Sequence, residues 1–181
     1  MEGRGLMARG NKADALAAWD KKYVWHPFTQ QADWVKEEPV VVESARGWHF
    51  KDTRGRRYLD GVSSLWVNVH GHGEPALNAA LRRQLKKMAH VTFLGLTHEP
   101  AVRLARELVR LAPRGLTRVF YSDNGSTAVE VAMKMAFQYG AQREGHVRRS
   151  EFFALANSYH GDTLGSVSVG GIGLFHKRFR P

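Results

Sequence analysis

The chain has 181 residues and a formal net charge of +10, with 43% hydrophobic and 24% charged residues, the profile of an ordinary globular protein rather than a disordered or fibrous one. No apolar run approaches the ~18 residues of a membrane span, and "MEGRGLMARGNKADALAAW" lacks the unbroken apolar centre of a secretory signal. A cytoplasmic location is the default expectation, and the absence of cysteine is compatible with it.

The positive charge does not read as a nucleic-acid surface. Its basic residues are scattered, as in "RGRR" at 54–57, "RR" at 82–83 and "KRFR" at 177–180. Several fall on the polar side of expected helices, and no aromatic platform accompanies them.

Along the chain, residues 11–22 are expected to be helical, with Asn11 as a cap, and "WHPFTQ" at 25–30 breaks the pattern at Pro27. "PVVVESARGWHFKDTRGRRYLDG", 39–61, reads as short antiparallel strands separated by the turns "ARG" and "DTRG". An apolar stretch then ends in a glycine-rich loop, "VSSLWVNVHGHGEP". Leu77, Leu81, Leu85 and Met88 mark a helix starting at Pro75. A second helix spans about 99–112, with Thr97 and Pro100 as start signals and Pro113 as its stop.

Residues 118–122, 126–140 and 151–156 read as strand, helix and strand, a βαβ unit with parallel strands and a right-handed crossover. On the helix, Val129, Ala132, Met133, Ala136 and Phe137 share an apolar face, while Glu130 and Lys134 sit four apart on the polar one. Open α/β sheets bind ligands beyond the C-terminal ends of their strands. The loop before Ser126 and the loop "NSYHGD" at 157–162 should therefore meet.

The first loop offers amides at a helix start, close backbone approach at Gly125, and the hydroxyls of Ser126 and Thr127, which together suit a phosphate. The second offers the rings of Tyr159 and His160 to a planar ligand. Ser126 also reads simply as a helix cap, and Tyr159 as a half-buried loop aromatic. "HGH" at 70–72 lacks the further ligands a metal needs, and Lys134 and Lys177 have no evident reason to act as catalytic amines.

"WHPFTQ", "DGVSSLWVNVHGH", "HVTFLGLTHEPAVRLA", "VFYSDNGSTAVEVAMKMAFQY" and "NSYHGDTLGSVSVGG" appear in one order. From about Trp19 onward, that order resembles the N-terminal part of the class III pyridoxal-phosphate-dependent aminotransferases, in the branch that serves biotin synthesis. The resemblance implies an α/β chain of fold type I, incomplete here: a small-domain segment at 1–63 and the first part of the large, mostly parallel-sheet domain at 64–181. It also implies a homodimer when full length.

The implied cofactor is pyridoxal 5'-phosphate, with Gly125 and Ser126 matching the phosphate loop and Tyr159 the aromatic against the cofactor ring and substrate. Trp66 matches the second of an aromatic pair near the substrate, and Asp162 a motif position of open role. The implied reaction moves an amino group from S-adenosylmethionine to 8-amino-7-oxononanoate, giving 7,8-diaminononanoate.

Two departures bear on the substrate. Leu65 stands where the best-known members carry a first tryptophan, and Phe28 where they carry tyrosine, so lysine stays open as the amino donor. The resemblance places the Schiff-base lysine and the aspartate at the cofactor's ring nitrogen beyond Pro181. Residues 1–181 alone are therefore expected to show no turnover. The alternatives are another class III transaminase acting on an ω-amine and a non-catalytic truncated remnant.

Overall fold

The computed structural model describes residues 9–143 and 151–179. It divides into two compact units, residues 1–92 and 93–181.

In the first unit, helix α1 spans Arg9–Tyr23 and the single turn α2 spans Gln31–Trp34. Asn11 thus lies inside α1 rather than capping it, because the helical pattern continues N-terminally to Arg9. Asp20, near the end of α1, holds the following segment. Its carboxylate accepts from the Trp34 indole at 2.8 Å and lies 2.9 Å from His26 Nε2, and the His26 and Trp34 rings pack at 4.3 Å.

Strands β1 (Val42–Arg46), β2 (His49–Asp52) and β3 (Arg57–Leu59) form an antiparallel sheet in that order. Both turns fall where the sequence places them. Phe50 and Tyr58 are cross-strand partners and stack at 5.2 Å, a pair that stabilises a sheet face.

Asp52 organises the second turn. It is 1% exposed and accepts from the Arg54 and Arg56 amides, Arg56 Nε and the Tyr58 hydroxyl. Burial pushes its carboxyl up, but hydrogen bonds led by the Arg56 guanidinium outweigh that and hold it below the usual carboxylate range.

Residues Ser63–Trp66 form one turn, α3, of left hand. All four have positive φ, at 51°, 47°, 64° and 72°. Helix α4 (Pro75–Lys87) follows, with Pro75 in its first turn and the Glu74 carboxylate accepting from the Ala76 amide at 3.2 Å.

In the second unit, α5 spans Glu99–Leu111 and ends ahead of Pro113. Its cap is His98, whose Nδ1 accepts from the Ala101 amide at 3.4 Å, rather than Thr97. Tyr121 donates to the Ala101 carbonyl at 2.6 Å and meets Phe93 edge-on. Helix α6 spans Gly125–Arg143, and two short helices, α7 (Leu164–Ser168) and α8 (Gly173–His176), complete the unit.

The βαβ expectation needs correction in its strands. The central helix is present, but residues 118–122 and 151–156 form no ladder, parallel or otherwise, among the described residues. A strand is defined by its neighbour, and no described segment pairs with either one. Their apolar side chains are accordingly uncovered: Phe153 is 96% exposed. The helix faces behave alike, with Leu81, Leu85 and Phe137 all exposed. Among the described residues the buried apolar side chains are few: Ala13, Pro39, Ala101 and Val167.

Candidate functional site

The N-terminus of α6 is built by Asp123, Asn124 and Thr127. The Thr127 amide donates to Asn124 Oδ1 at 3.0 Å, so Asn124 is the cap. The Thr127 hydroxyl donates to Asp123 Oδ1 at 2.6 Å and also meets Ser122 Oγ. The Asp123 carboxyl is held low, chiefly by that Thr127 bond. Ser126 is therefore not the cap, because Asn124 already supplies the acceptor.

The Ser126 hydroxyl belongs to another network. Its oxygen accepts from the Thr163 amide at 2.8 Å, and Thr163 Oγ1 and the buried Ser166 Oγ lie at 3.0 and 2.7 Å. A hydroxyl carries one proton, and two oxygens of the protein are within its reach. The expectation of Ser126 and Thr127 as free hydroxyl donors is corrected accordingly: both are engaged within the chain. What faces open space is backbone. The Gly125 and Ser126 amides make no hydrogen bond among the described residues, as expected for the first turn of a helix, and a Cβ on Gly125 would meet nothing within 4 Å.

The second loop folds directly against this helix end. The Ser158 amide and hydroxyl both donate to the Leu155 carbonyl, at 3.2 and 2.6 Å, turning the chain after residue 156. Gly161 then has φ +112°, and a Cβ there would lie within 2.5 Å of Ser126 Oγ. Only glycine permits both the angle and the approach. The loop thereby seats Tyr159, Gly161 and Thr163 beside Asn124, Gly125 and Ser126 around one cavity of about 740 Å³, within the size range of small-molecule sites. His160 and Asp162 line it too.

Tyr159 donates to Asp162 Oδ2 at 2.6 Å, and that bond raises the phenol's pKa. Asp162, whose role the sequence left open, is thus the acceptor that holds the Tyr159 hydroxyl. Behind Tyr159, at 6.1 Å and nearly parallel, lies His176, fully buried. Its Nδ1 accepts from the Ile172 amide at 3.0 Å. Nothing in the sequence singles out His176, which sits in a basic segment.

The other expected site residues lie in the first unit. Phe28, Leu65 and Trp66 are exposed, and each has a left-handed backbone, with φ of 50°, 64° and 72°. The left-handed turn is tied to Asp60, whose carboxylate accepts from the Ser64 amide and hydroxyl, each at 2.8 Å, and lies 2.8 Å from His72 Nε2. The Ser64 amide leads the effects that hold the Asp60 carboxyl low. His72 of "HGH" thus serves Asp60, and its backbone bridges Gly47 in both directions, at 2.7 and 2.9 Å.

Residues 30–181 match the family model of the class III aminotransferases. The chain is 57% identical over 167 residues to the adenosylmethionine-8-amino-7-oxononanoate aminotransferase of Nitratidesulfovibrio vulgaris, covering 92% of this chain and 31% of that protein. It is 54% identical to the Geobacter sulfurreducens protein of the same name, covering 92% of this chain and 36% of the relative.

Among solved structures, that of the Methanocaldococcus jannaschii adenosylmethionine-8-amino-7-oxononanoate aminotransferase superposes with a TM-score of 0.88 at 43% identity, covering 92% of this chain and 38% of that one. An (S)-enantioselective omega-transaminase from Thermomicrobium roseum gives 0.84 at 32% identity, covering 93% and 37%. The chain spans about a third of the length of the curated relatives it matches.

Proposed function

We propose a function on one premise, that this chain belongs to the class III aminotransferase family: it is the part of a transaminase that seats the phosphate and one ring face of pyridoxal 5'-phosphate. The observation that carries the reading is the single cavity in which the exposed amide tip of α6 faces the loop bearing Tyr159. Bound there, the cofactor would supply the electron sink that amino transfer requires.

The chain's own residues perform three tasks in this reading. The Gly125 and Ser126 amides, with the positive end of the α6 dipole behind them, take the phosphate charge. Gly125 leaves the room for it. Tyr159 forms a wall for the ring, its hydroxyl held by Asp162 and so kept from wandering across the cavity. The Gly125 and Ser126 amides are neutral donors, which suits a phosphate dianion.

For the whole protein, the names of the relatives support transfer of an amino group to 8-amino-7-oxononanoate, giving 7,8-diaminononanoate for biotin synthesis. S-adenosylmethionine is the leading donor and lysine the alternative, because Leu65 changes the substrate shell. Phe28, Leu65 and Trp66 are proposed as the substrate contacts. We assign 1–63 to the small domain and 64–181 to the large one, and propose a cytoplasmic homodimer. No helix among the described residues is long and apolar enough to cross a membrane.

The test uses the complete polypeptide encoded by the gene. Titration with pyridoxal 5'-phosphate should produce a visible absorbance band, and the loaded protein should form diaminononanoate with one of the two donors. A protein that binds the cofactor but prefers simple ω-amines would favour the second reading, which the likeness to the omega-transaminase supports. Absence of cofactor binding would overturn both.

A further inference from the structure

The proposed cofactor site depends on how far the Tyr159 loop stands from α6, and two side chains of α6 fix that distance. Ser126 and Glu130 lie four residues apart, hence on one helix face. Opposite them, Gly161 and Gly165 are also four apart. At the first point, the Ser126 hydroxyl accepts from the Thr163 amide at 2.8 Å and Gly161 packs on the Ser126 side chain. At the second, Glu130 Oε1 accepts from the Gly165 amide at 2.7 Å. A Cβ on Gly165 would lie within 2.7 Å of that same oxygen.

The i,i+4 spacing of Glu130 and Lys134 would place the carboxylate in a solvated ion pair. Instead it is turned into the loop. Its carboxyl is held below the usual range first by the Thr163 hydroxyl and then by the Gly165 amide, with Lys134 the smallest of the contributions. Glu130 is therefore an anion at neutral pH, a stronger acceptor than a neutral group.

We infer that Glu130 is a positioning residue for the Tyr159 loop. Its carboxylate and the Ser126 hydroxyl clasp residues 161–165 at two points and so set the width of the cavity between the α6 amides and Tyr159. The inference rests on the proposed cofactor site for its consequence, but the clasp itself is a property of the protein without cofactor.

The experiment uses the complete encoded polypeptide as wild type, E130A, E130Q, G165A and E130A/G165A. In the cofactor-free protein, amide hydrogen exchange at Gly165 reads the clasp directly: E130A should lose protection there, while E130Q, which keeps an acceptor oxygen, should retain most of it. In the loaded protein, E130A should release pyridoxal 5'-phosphate on the order of ten-fold faster, with an altered visible circular dichroism, and E130Q should recover most of the loss. G165A should act like E130A in the wild-type background yet add less than two-fold to E130A, because the carboxylate it collides with is gone.

Equal Gly165 protection in wild type and E130A, or additive effects of the two substitutions, overturns the clasp. A wild type that binds no cofactor while Gly165 protection still depends on Glu130 overturns the functional reading and leaves the clasp standing. Should E130A fail to fold, G165A carries the test: faster cofactor release than wild type supports the clasp, and an unchanged rate overturns it.

Discussion

Two regions of this chain hold a loop in an unusual pose, and they do so by opposite means. At 60–72, four consecutive side-chain-bearing residues adopt the left-handed conformation, at an intrinsic cost of roughly 4–8 kcal/mol if each residue contributes its usual share. At 157–166, a single side-chain-bearing residue, Asn157, is left-handed, and the close approach to Ser126 is made by Gly161, for which φ +112° carries no such cost.

The difference follows from what each loop presents. The first presents side chains, Leu65 and Trp66, so glycine would defeat its purpose, and the carboxylate of Asp60 offsets the strain through Ser64 and His72. The second brings the Tyr159 ring up to α6 by a close approach at Gly161, so a missing Cβ is the useful chemistry. In both, carboxylates gather the donors: Asp60 in the first, Glu130 and Asp162 in the second.

The comparison yields four expectations. The largest effect should come from Gly161→Ala, which meets both the φ and the Ser126 side chain: a loss of about 3 kcal/mol in stability, read by urea denaturation, with cofactor binding lost alongside. An unchanged midpoint would show that the second loop does not need its glycine.

Acid should act next, and on the first loop. A carboxyl depressed in the folded state contributes stability that is present above its unfolded pKa and is lost as pH falls through the folded one. Asp60 is depressed, so the left-handed turn should loosen as pH drops below about 4. Tryptophan fluorescence should report that step in the wild type and miss it in D60N.

A smaller effect is expected at the α6 cap. Asn124→Ala removes the acceptor for the Thr127 amide and should cost about 1 kcal/mol, read as a lower denaturation midpoint. The smallest carries the opposite sign. Ser63→Gly relieves one left-handed residue and should stabilise the protein by about 0.5–1 kcal/mol, where the same change at Gly-compatible, right-handed positions would destabilise it.

Local signals were the legible part of the sequence. Turn chemistry located β1–β3, Pro75 and Pro113 bounded helices, and the polar run at 122–127 located the tip of α6. Helix caps were less legible, because Asn11, Thr97 and Ser126 are all plausible cappers and the choice depends on φ/ψ set by neighbours. Hence Asn124 and His98 took those roles.

The strand assignments at 118–122 and 151–156 failed for a non-local reason. Apolar β-rich segments announce a propensity, but a ladder needs a partner that composition cannot name. Glu130 shows the same limit at the site. Its spacing from Lys134 suggests a surface pair, and only the fold brings Gly165 close enough to take the carboxylate instead. The left-handed run at 63–66 had no signature at all, since serine, leucine and tryptophan do not advertise that conformation.

The double backbone bridge between His72 and Gly47 sets the size of the smallest graft that could carry Trp66 in its present pose. The Asp60 amide also donates to the Trp48 carbonyl at 2.8 Å, so the turn is moored to the hairpin at both of its ends. A synthetic peptide confined to 60–68 would relax to a right-handed coil, whereas one spanning 45–72 would import its own moorings into a new scaffold.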